Sequence, residues 1–116
     1  MGMNKRSVGG EKERIAGRYL EQKGFRILEF NYRTRMAEID IVARDGDSLV
    51  FVEVKYRKDI SDGHPLEAVN ARKQRRIRMA ALYYLEDHDL SPDLTAVRFD
   101  VIGILGDEIT HIVSAF

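Results

Sequence analysis

Apolar positions recur at helical spacing in two segments of the chain and alternate with polar positions in several others. The helical stripes predict a helix over residues 11–22, ended by Gly24, and a second helix from an Asn70 N-cap to about Asp87. Strands are predicted at residues 25–30, at two segments within 36–56, at 96–105 and at 108–113. A polar connection is predicted over residues 31–35, and a short helical turn over 65–69. The order α-β-β-β-α-β-β predicts an α/β fold in which helices flank a mixed sheet.

The register of the central hairpin depends on which residues form its loop. If Gly46 and Asp47 form it, counting back from the loop places Asp40 opposite Glu53 and Glu38 opposite Lys55. A loop one residue earlier places Glu38 opposite Glu53 instead. In both registers two carboxylates lie side by side on one face of the sheet, because side chains alternate along a strand.

Opposed carboxylates destabilise a strand pair. A divalent cation such as Mg²⁺ would remove this repulsion, since it is held by one or two carboxylates together with water and phosphate oxygens. Lys55 adds a positive charge suited to a phosphate or to a water nucleophile. The alternative is a solvated hairpin face on which Glu38 and Lys55 form a cross-strand ion pair.

Composition narrows the class of protein. The 116 residues are 44% apolar and 33% charged, as in a globular domain, and there is no cysteine for a disulfide, a thiolate metal site or a nucleophile. One domain is predicted over residues 11–116, after a mobile segment at 1–10. Apolar runs are too short for a membrane span and the polar start is unlike a signal peptide, so a cytoplasmic location is expected.

The net charge is zero, but the charges are unevenly distributed. Residues 55–78 carry eight basic and three acidic groups, and residues 79–116 carry one basic and seven acidic groups. The basic segment would suit a nucleic-acid backbone or be a solvated helix face, and the acidic segment would suit a basic protein partner. The candidate phosphate contacts are Arg57, Arg72, Lys73, Arg75 and Arg76, with Arg33 and Arg35 from the polar connection.

Four other positions carry expectations. Glu11 and Glu13 flank the first helical stripe at similar angles, so periodicity leaves open which one points inward. Lys73 occupies a position of the second stripe and should point toward the sheet, either in the site or snorkelling from the core edge. Asp100 is expected to form a structural ion pair with Arg98. The three histidines, which lack metal-ligand spacing, are expected to be structural.

Several motifs together are similar to those of the YraN-like family. This family of small bacterial proteins is assigned to endonucleases by homology, within the PD-(D/E)XK nuclease superfamily and near the archaeal Holliday junction resolvases. The motifs are E-x-x-A-x-x-Y-L at 13–20, E-I-D at 38–40, F-V-E-V-K-Y-R at 51–57, K-Q-R-R-I at 73–77, R-F-D-V-I at 98–102 and a final A-F. The resemblance implies a restriction-endonuclease-like fold and covers residues 13–116.

The resemblance also implies roles for individual residues. Asp40 and Glu53 match the metal-binding carboxylates, Glu13 matches a glutamate of the first helix that approaches the metal, and Lys55 matches the catalytic lysine. Lys73 and Gln74 match a supporting position on the second helix. The chain departs from the pattern at three positions, because Lys12 and Ala37 replace usual glycines and Ile39 replaces the superfamily's proline.

The resulting hypothesis is that the protein is an endonuclease that uses Mg²⁺ or Mn²⁺ to hydrolyse DNA. Branched and flapped DNA are candidate substrates. Cutting a junction symmetrically would require a homodimer. The alternatives are a non-catalytic nucleic-acid-binding module with the same fold, and a protein-interaction subunit.

Overall fold

A computed structural model describes the backbone of residues 3–116 and the side chains of residues 10–61, 63–67 and 69–116. The helices are α1 (Met3–Gln22) and α2 (Ala71–Asp87). The strands are β1 (Arg26–Arg33), β2 (Glu38–Asp45), β3 (Ser48–Arg57), β4 (Val97–Leu105) and β5 (Glu108–Ile112). Two short 3₁₀ helices, Ile60–Asp62 and Pro65–Ala68, lie between β3 and α2.

The five strands form one mixed sheet in the spatial order β1-β2-β3-β4-β5. Neighbouring strands are antiparallel except β3 and β4, which are parallel and are connected through α2. A parallel pair requires such a crossover because a tight turn can join only antiparallel strands. The mixed α/β sheet and the expected order of helices and strands are therefore present.

The two faces of the sheet are covered by different helices. Ala16 and Leu20 of α1 pack with Val50 and Val52 of β3, whereas α2 packs on the opposite face with Leu49 and Phe51 of the same strand. The alternation along β3 explains why its sequence is apolar at nearly every position: both of its faces are buried. The chain thus forms a sandwich with the sheet between two helices.

Local sequence signals determine where α1 ends and where α2 begins. Gly24 has a φ of +95°, and the amide of Phe25 donates to the carbonyl of Leu20 at 3.0 Å, so α1 ends in a Schellman motif. At α2, the Asn70 side chain accepts a hydrogen bond from the amide of Lys73 at 2.9 Å. The predicted helix stop and N-cap are both confirmed.

Two predicted boundaries were wrong. Helix α1 begins at Met3 rather than at residue 11; the first two residues of the segment predicted to be mobile lie outside the described residues. Strand β1 continues through Arg33, so Asn31 and Tyr32 belong to the strand and not to a connection. Asn has low strand propensity, but pairing with β2 keeps this segment in the strand, because tertiary pairing overrides propensity.

Candidate functional site

The site lies at the fork between β2 and β3, the point beyond Ile41 and Val52 at which their backbone pairing ends. Asp45 pairs with Ser48, so the register is the one that Gly46-Asp47 as the loop predicts. Extended by one residue, it sets Asp40 across from Glu53. At this point the backbone hydrogen bonds between the strands stop, and the Asp40 carboxylate accepts a hydrogen bond from the backbone amide of Val54 at 2.7 Å. The carboxylate is thereby fixed between the diverging strands.

Glu53 forms the other side of the fork and is almost completely buried, with 4% of its surface exposed. Its Oε2 lies 3.2 Å from Lys55 Nζ on the same strand and 3.4 Å from Lys73 Nζ on α2. The prediction that Lys73 points toward the sheet is therefore confirmed. The two ammonium groups beside this buried carboxylate oxygen supply the opposite charge that offsets the cost of removing the carboxylate from water.

Glu13 reaches the same fork from α1. Its Oε1 accepts a hydrogen bond of 2.6 Å from Asn31 Nδ2, and its carboxyl group is within hydrogen-bond range of that of Asp40. Glu11, by contrast, is exposed. The ambiguity that periodicity left is resolved in favour of Glu13. The neighbouring Lys12 does not enter the core, because its Nζ lies 4.1 Å from the centre of the Tyr56 ring in a cation–π contact.

Electrostatics in this carboxylate cluster, defined as Glu13, Asp40 and Glu53, favour protonation or a cation. Burial and the nearby carboxylates of Glu53 and Glu13 together raise the pKa of Asp40 to about 9, although the hydrogen bond from Val54 acts in the opposite direction. Burial also raises the pKa of Glu13, against the effect of its hydrogen bonds with Asn31 and Asp40. A proton or a divalent cation would stabilise such a group of acids.

The solvated-hairpin alternative does not describe this site. Glu38 pairs with Arg33, at 3.3 Å between Oε2 and Nε, and Lys55 pairs with the buried Glu53. Among the described residues, no group of three His, Cys, Asp or Glu side chains is arranged so that all three could hold one metal ion. Asp40 and Glu53 nevertheless offer what Mg²⁺ requires of a protein, one or two carboxylates, with water and substrate phosphate as the other ligands.

The structure does not bring Gln74 into contact with the carboxylate cluster. Its Nε2 donates to the carbonyl of Val69 at 3.3 Å, and its side chain lines a cavity of about 140 Å³ near the C-terminal residue Phe116. Val101, which is the register partner of Glu53 on β4, also lines this cavity. Among the described residues, no hydrogen bond joins Gln74 to the carboxylate cluster.

The basic residues predicted to contact phosphates are distributed over two regions. Arg72, Arg75 and Arg76 are exposed on α2. Arg57 is half-buried: one terminal nitrogen donates to the Tyr56 carbonyl at 3.0 Å, and within the described part of the chain its Nε has no hydrogen-bond partner. Arg35 is exposed and lines, with Arg33, a separate cleft near the C-terminal end of α2.

A second polar cluster surrounds Asp100, which is completely buried. Arg98 donates to both of its carboxylate oxygens, at 2.9 and 3.0 Å, which confirms the predicted ion pair. His111 Nε2 lies 2.8 Å from Asp100 Oδ2, and the amide of Ser114 donates to Oδ1 at 3.0 Å. Burial acts to raise the pKa of Asp100, but the hydrogen bonds from His111 and Arg98 hold it below its ordinary value.

The sequence reasoning missed Asn31 and the contact between His111 and Asp100. Asn31 was assigned to a connection because the apolar alternation stops before it, and its φ of 56° departs from extended geometry. An asparagine inside a strand is itself a usable signal, since Asn tolerates positive φ better than other residues with a side chain. The His111 contact depends on strand packing at the end of the sheet, for which the sequence offers no spacing signal.

The chain belongs to the family described as "Uncharacterised protein family UPF0102", whose model matches residues 12–104. It is 51% identical to a UPF0102 protein of Lachnoclostridium phytofermentans over 114 residues, which cover 98% of this chain and 96% of that protein. It is 43% identical to a UPF0102 protein of Clostridioides difficile, over 98% of this chain and all of that one. The family part of the resemblance is confirmed. Among the described residues, no helix has the length and apolar character needed to cross a membrane.

Proposed function

We propose that this protein is a metal-dependent endonuclease that hydrolyses phosphodiester bonds in DNA and has a restriction-endonuclease-like fold of the PD-(D/E)XK type. One observation carries the proposal: Glu13, Asp40, Glu53 and Lys55, which come from α1, β2 and β3, converge on the fork. Three acids and a lysine that meet at a break in a sheet have little structural benefit, since like charges in proximity destabilise the fold. They are well suited to a divalent cation and a phosphate.

Each residue has a defined part in this proposal. Asp40 and Glu53 would hold Mg²⁺ or Mn²⁺, with Glu13 as a third carboxylate beside them. Held by these carboxylates, an ion would supply a water molecule of lowered pKa and a Lewis acid for the phosphate. The Lys55 ammonium, 3.2 Å from Glu53, is placed to orient the attacking water or to stabilise negative charge that develops on phosphate oxygens. Lys73 adds a second ammonium from α2.

The charge distribution supports DNA as the substrate. Residues 55–78 carry five more basic than acidic groups, because their eight basic residues outnumber three acidic ones. Within this segment Arg72, Arg75 and Arg76 are exposed on the same helix as Lys73. Such arginines bind backbone phosphates without regard to sequence. Binding of this kind would position a strand next to the fork, and a junction cut at two points would need two copies of the chain.

A second candidate function is a DNA-binding module without turnover. It is favoured by the two lysines on Glu53, which neutralise this carboxylate even when no metal is bound. In that case the fork is a structural ion-pair network, and DNA binding is independent of divalent ions. The acidic segment offers less support for a protein-interaction subunit, because Asp87 and Asp100 within it are engaged by Tyr32 and by Arg98.

The test is cleavage of a labelled panel of single-stranded, duplex, flapped and four-way-junction DNA in Mn²⁺, Mg²⁺ or EDTA. The native protein is compared with Lys55→Ala and with Lys58→Ala, a matched change of an exposed lysine outside the fork. We expect metal-dependent cleavage that Lys55→Ala abolishes and Lys58→Ala retains. Equal cleavage by all three proteins would indicate a contaminating nuclease. DNA binding without cleavage, and without dependence on metal, would favour the module.

A further inference from the structure

A cleft lies between α1 and β1, which is one of the two edge strands of the sheet, beside the carboxylate cluster. It has a volume of about 210 Å³, and its described lining consists of Gly10, Glu13, Arg14, Phe30 and Asn31. Glu13 belongs both to this cleft and to the cluster, because its carboxyl group also contacts Asp40. Whatever occupies the cleft therefore lies next to the proposed site of hydrolysis.

Phe30 forms an aromatic wall of the cleft. It is 39% exposed, although it is a large apolar residue. Its ring lies over Gly17 of α1, such that a Cβ on Gly17 would be only 2.9 Å from Phe30 Cζ. The glycine thus leaves space for the ring to rest against the helix. A ring that is supported on one side and open on the other is the geometry on which a nucleobase stacks.

Asn31 connects the cleft to the carboxylate cluster. Its φ of 56° lies in the left-handed region, which residues with a side chain rarely adopt. The side chain donates to Glu13 Oε1 at 2.6 Å. A disfavoured backbone conformation at a single strand residue is often retained where it serves a site. Here it fixes the wall of the cleft relative to Glu13.

Arg14 places a guanidinium group in the cleft, beside the carboxyl group of Glu13, which is engaged by Asn31 and Asp40. It follows Glu13 on α1 and is exposed at the same opening. A guanidinium group presents several N–H donors in one plane and pairs with phosphate through two hydrogen bonds. An aromatic face and a guanidinium that share one cleft match the two parts of a nucleotide, the base and the phosphate.

We propose that this cleft binds one unpaired nucleotide of the DNA strand adjacent to the scissile phosphate, with its base on Phe30 and its phosphate on Arg14. The position next to the scissile phosphate rests on the proposed function. A nucleotide in a duplex is already stacked and paired, so it would have to leave the helix to enter the cleft. The cleft therefore selects single strands, flaps and branch points over continuous duplex.

The test separates binding from cleavage. Fluorescence anisotropy measures the Kd of labelled single-stranded DNA and of the same sequence as a duplex, in EDTA at low salt. We expect Phe30→Leu, which keeps an apolar side chain over Gly17, to raise the Kd for single strands about tenfold, the effect of losing one base–aromatic stack. The Kd for duplex should stay as in the native protein. Leu28→Ala, which truncates an equally exposed apolar residue on the same strand outside the cleft, should change neither Kd.

A second variant distinguishes the cleft from a general loss of structure. Gly17→Ala introduces a better helix former, but its new Cβ would displace the Phe30 ring. We expect its unfolding midpoint in urea to be maintained while its Kd for single strands rises. Native affinity for single strands in both Phe30→Leu and Gly17→Ala would overturn the proposal, and so would a native protein that binds no single-stranded DNA.

The cleavage panel shows whether a failure belongs to the cleft or to the nuclease. If Phe30→Leu weakens single-strand binding but the native protein cleaves nothing, the cleft binds an unpaired nucleotide and the nuclease proposal has failed. If the native protein cleaves and Phe30→Leu slows all substrates equally, including continuous duplex, the nuclease proposal holds and the cleft proposal is refuted.

Discussion

The most informative perturbation of the site is Asp40→Asn, which removes the ionisable carboxyl group from the fork without changing the size of the side chain. An amide oxygen can still accept the hydrogen bond that the Val54 amide donates to Asp40. The variant does not titrate at this position. Any difference in stability between it and the native protein as a function of pH therefore reports on the Asp40 carboxyl group.

The sign of the effect follows from the raised pKa. In the folded protein the pKa of Asp40 is about 9, whereas its ordinary value is 3.8. The folded state thus binds a proton that the unfolded state releases above about pH 4. The free energy of unfolding of the metal-free native protein should fall as the pH rises from about 4 toward about 9. Glu13, whose pKa is also raised, contributes in the same direction.

The magnitude can be worked out from the same shift. Each pH unit between the ordinary pKa and the working pH removes about 1.4 kcal/mol, as long as the folded pKa lies higher. At pH 7 this amounts to on the order of 4 kcal/mol, an upper limit because water that reaches the fork relieves part of the burial. In EDTA at pH 7 to 8, Asp40→Asn should therefore be more stable than the native protein, by up to this amount.

The assay is urea unfolding at several pH values between 5 and 9, in EDTA and in Mn²⁺. Asp47→Asn, in the exposed turn of the same hairpin, is the matched control and should follow the native curve. Mn²⁺ should stabilise the native protein, since a ligand that binds the folded state raises its stability, and should stabilise Asp40→Asn far less. If Asp40→Asn is less stable than native at pH 8, or shows the same pH slope, the electrostatic account of the fork is wrong.

Three other perturbations test separate parts of the structure. Asp100→Asn should lower the free energy of unfolding by about 1–3 kcal/mol, because Arg98 keeps its ion pair with Asp45 but the new amide group cannot satisfy all the donors around this buried position; a native urea midpoint would contradict this. Asn70→Ala should lower it by about 1 kcal/mol through loss of the α2 N-cap, and Asn70→Ser should recover most of that loss. Lys73→Met should reduce metal-dependent cleavage at least about tenfold while preserving the fold. Unchanged cleavage would remove Lys73 from the proposed mechanism.

The sequence by itself determined those features that depend on local chemistry. Gly24 and Asn70 mark helix boundaries because a positive φ and a side-chain cap act over a few residues. The sequence restricted the β2–β3 hairpin to two registers, both of which bring two carboxylates together on one face, and the structure selected the register that sets Asp40 across from Glu53. Helical periodicity also predicts that Lys73 lies on the side of α2 that faces the sheet.

Only the tertiary structure decided the features that depend on distant elements. It extended β1 to Arg33 through pairing with β2, and it placed Glu13 in contact with Asn31, a choice between Glu11 and Glu13 that periodicity left open and that the family resemblance predicted. It placed Gln74 on the Val69 carbonyl rather than on the carboxylates. Hydrophobic patterning specifies which face of an element is buried, whereas the neighbour across that face is chosen by how the elements pack. For this reason the acids of the fork could be named from the sequence, but the cleft between Phe30 and Arg14 beside them could not.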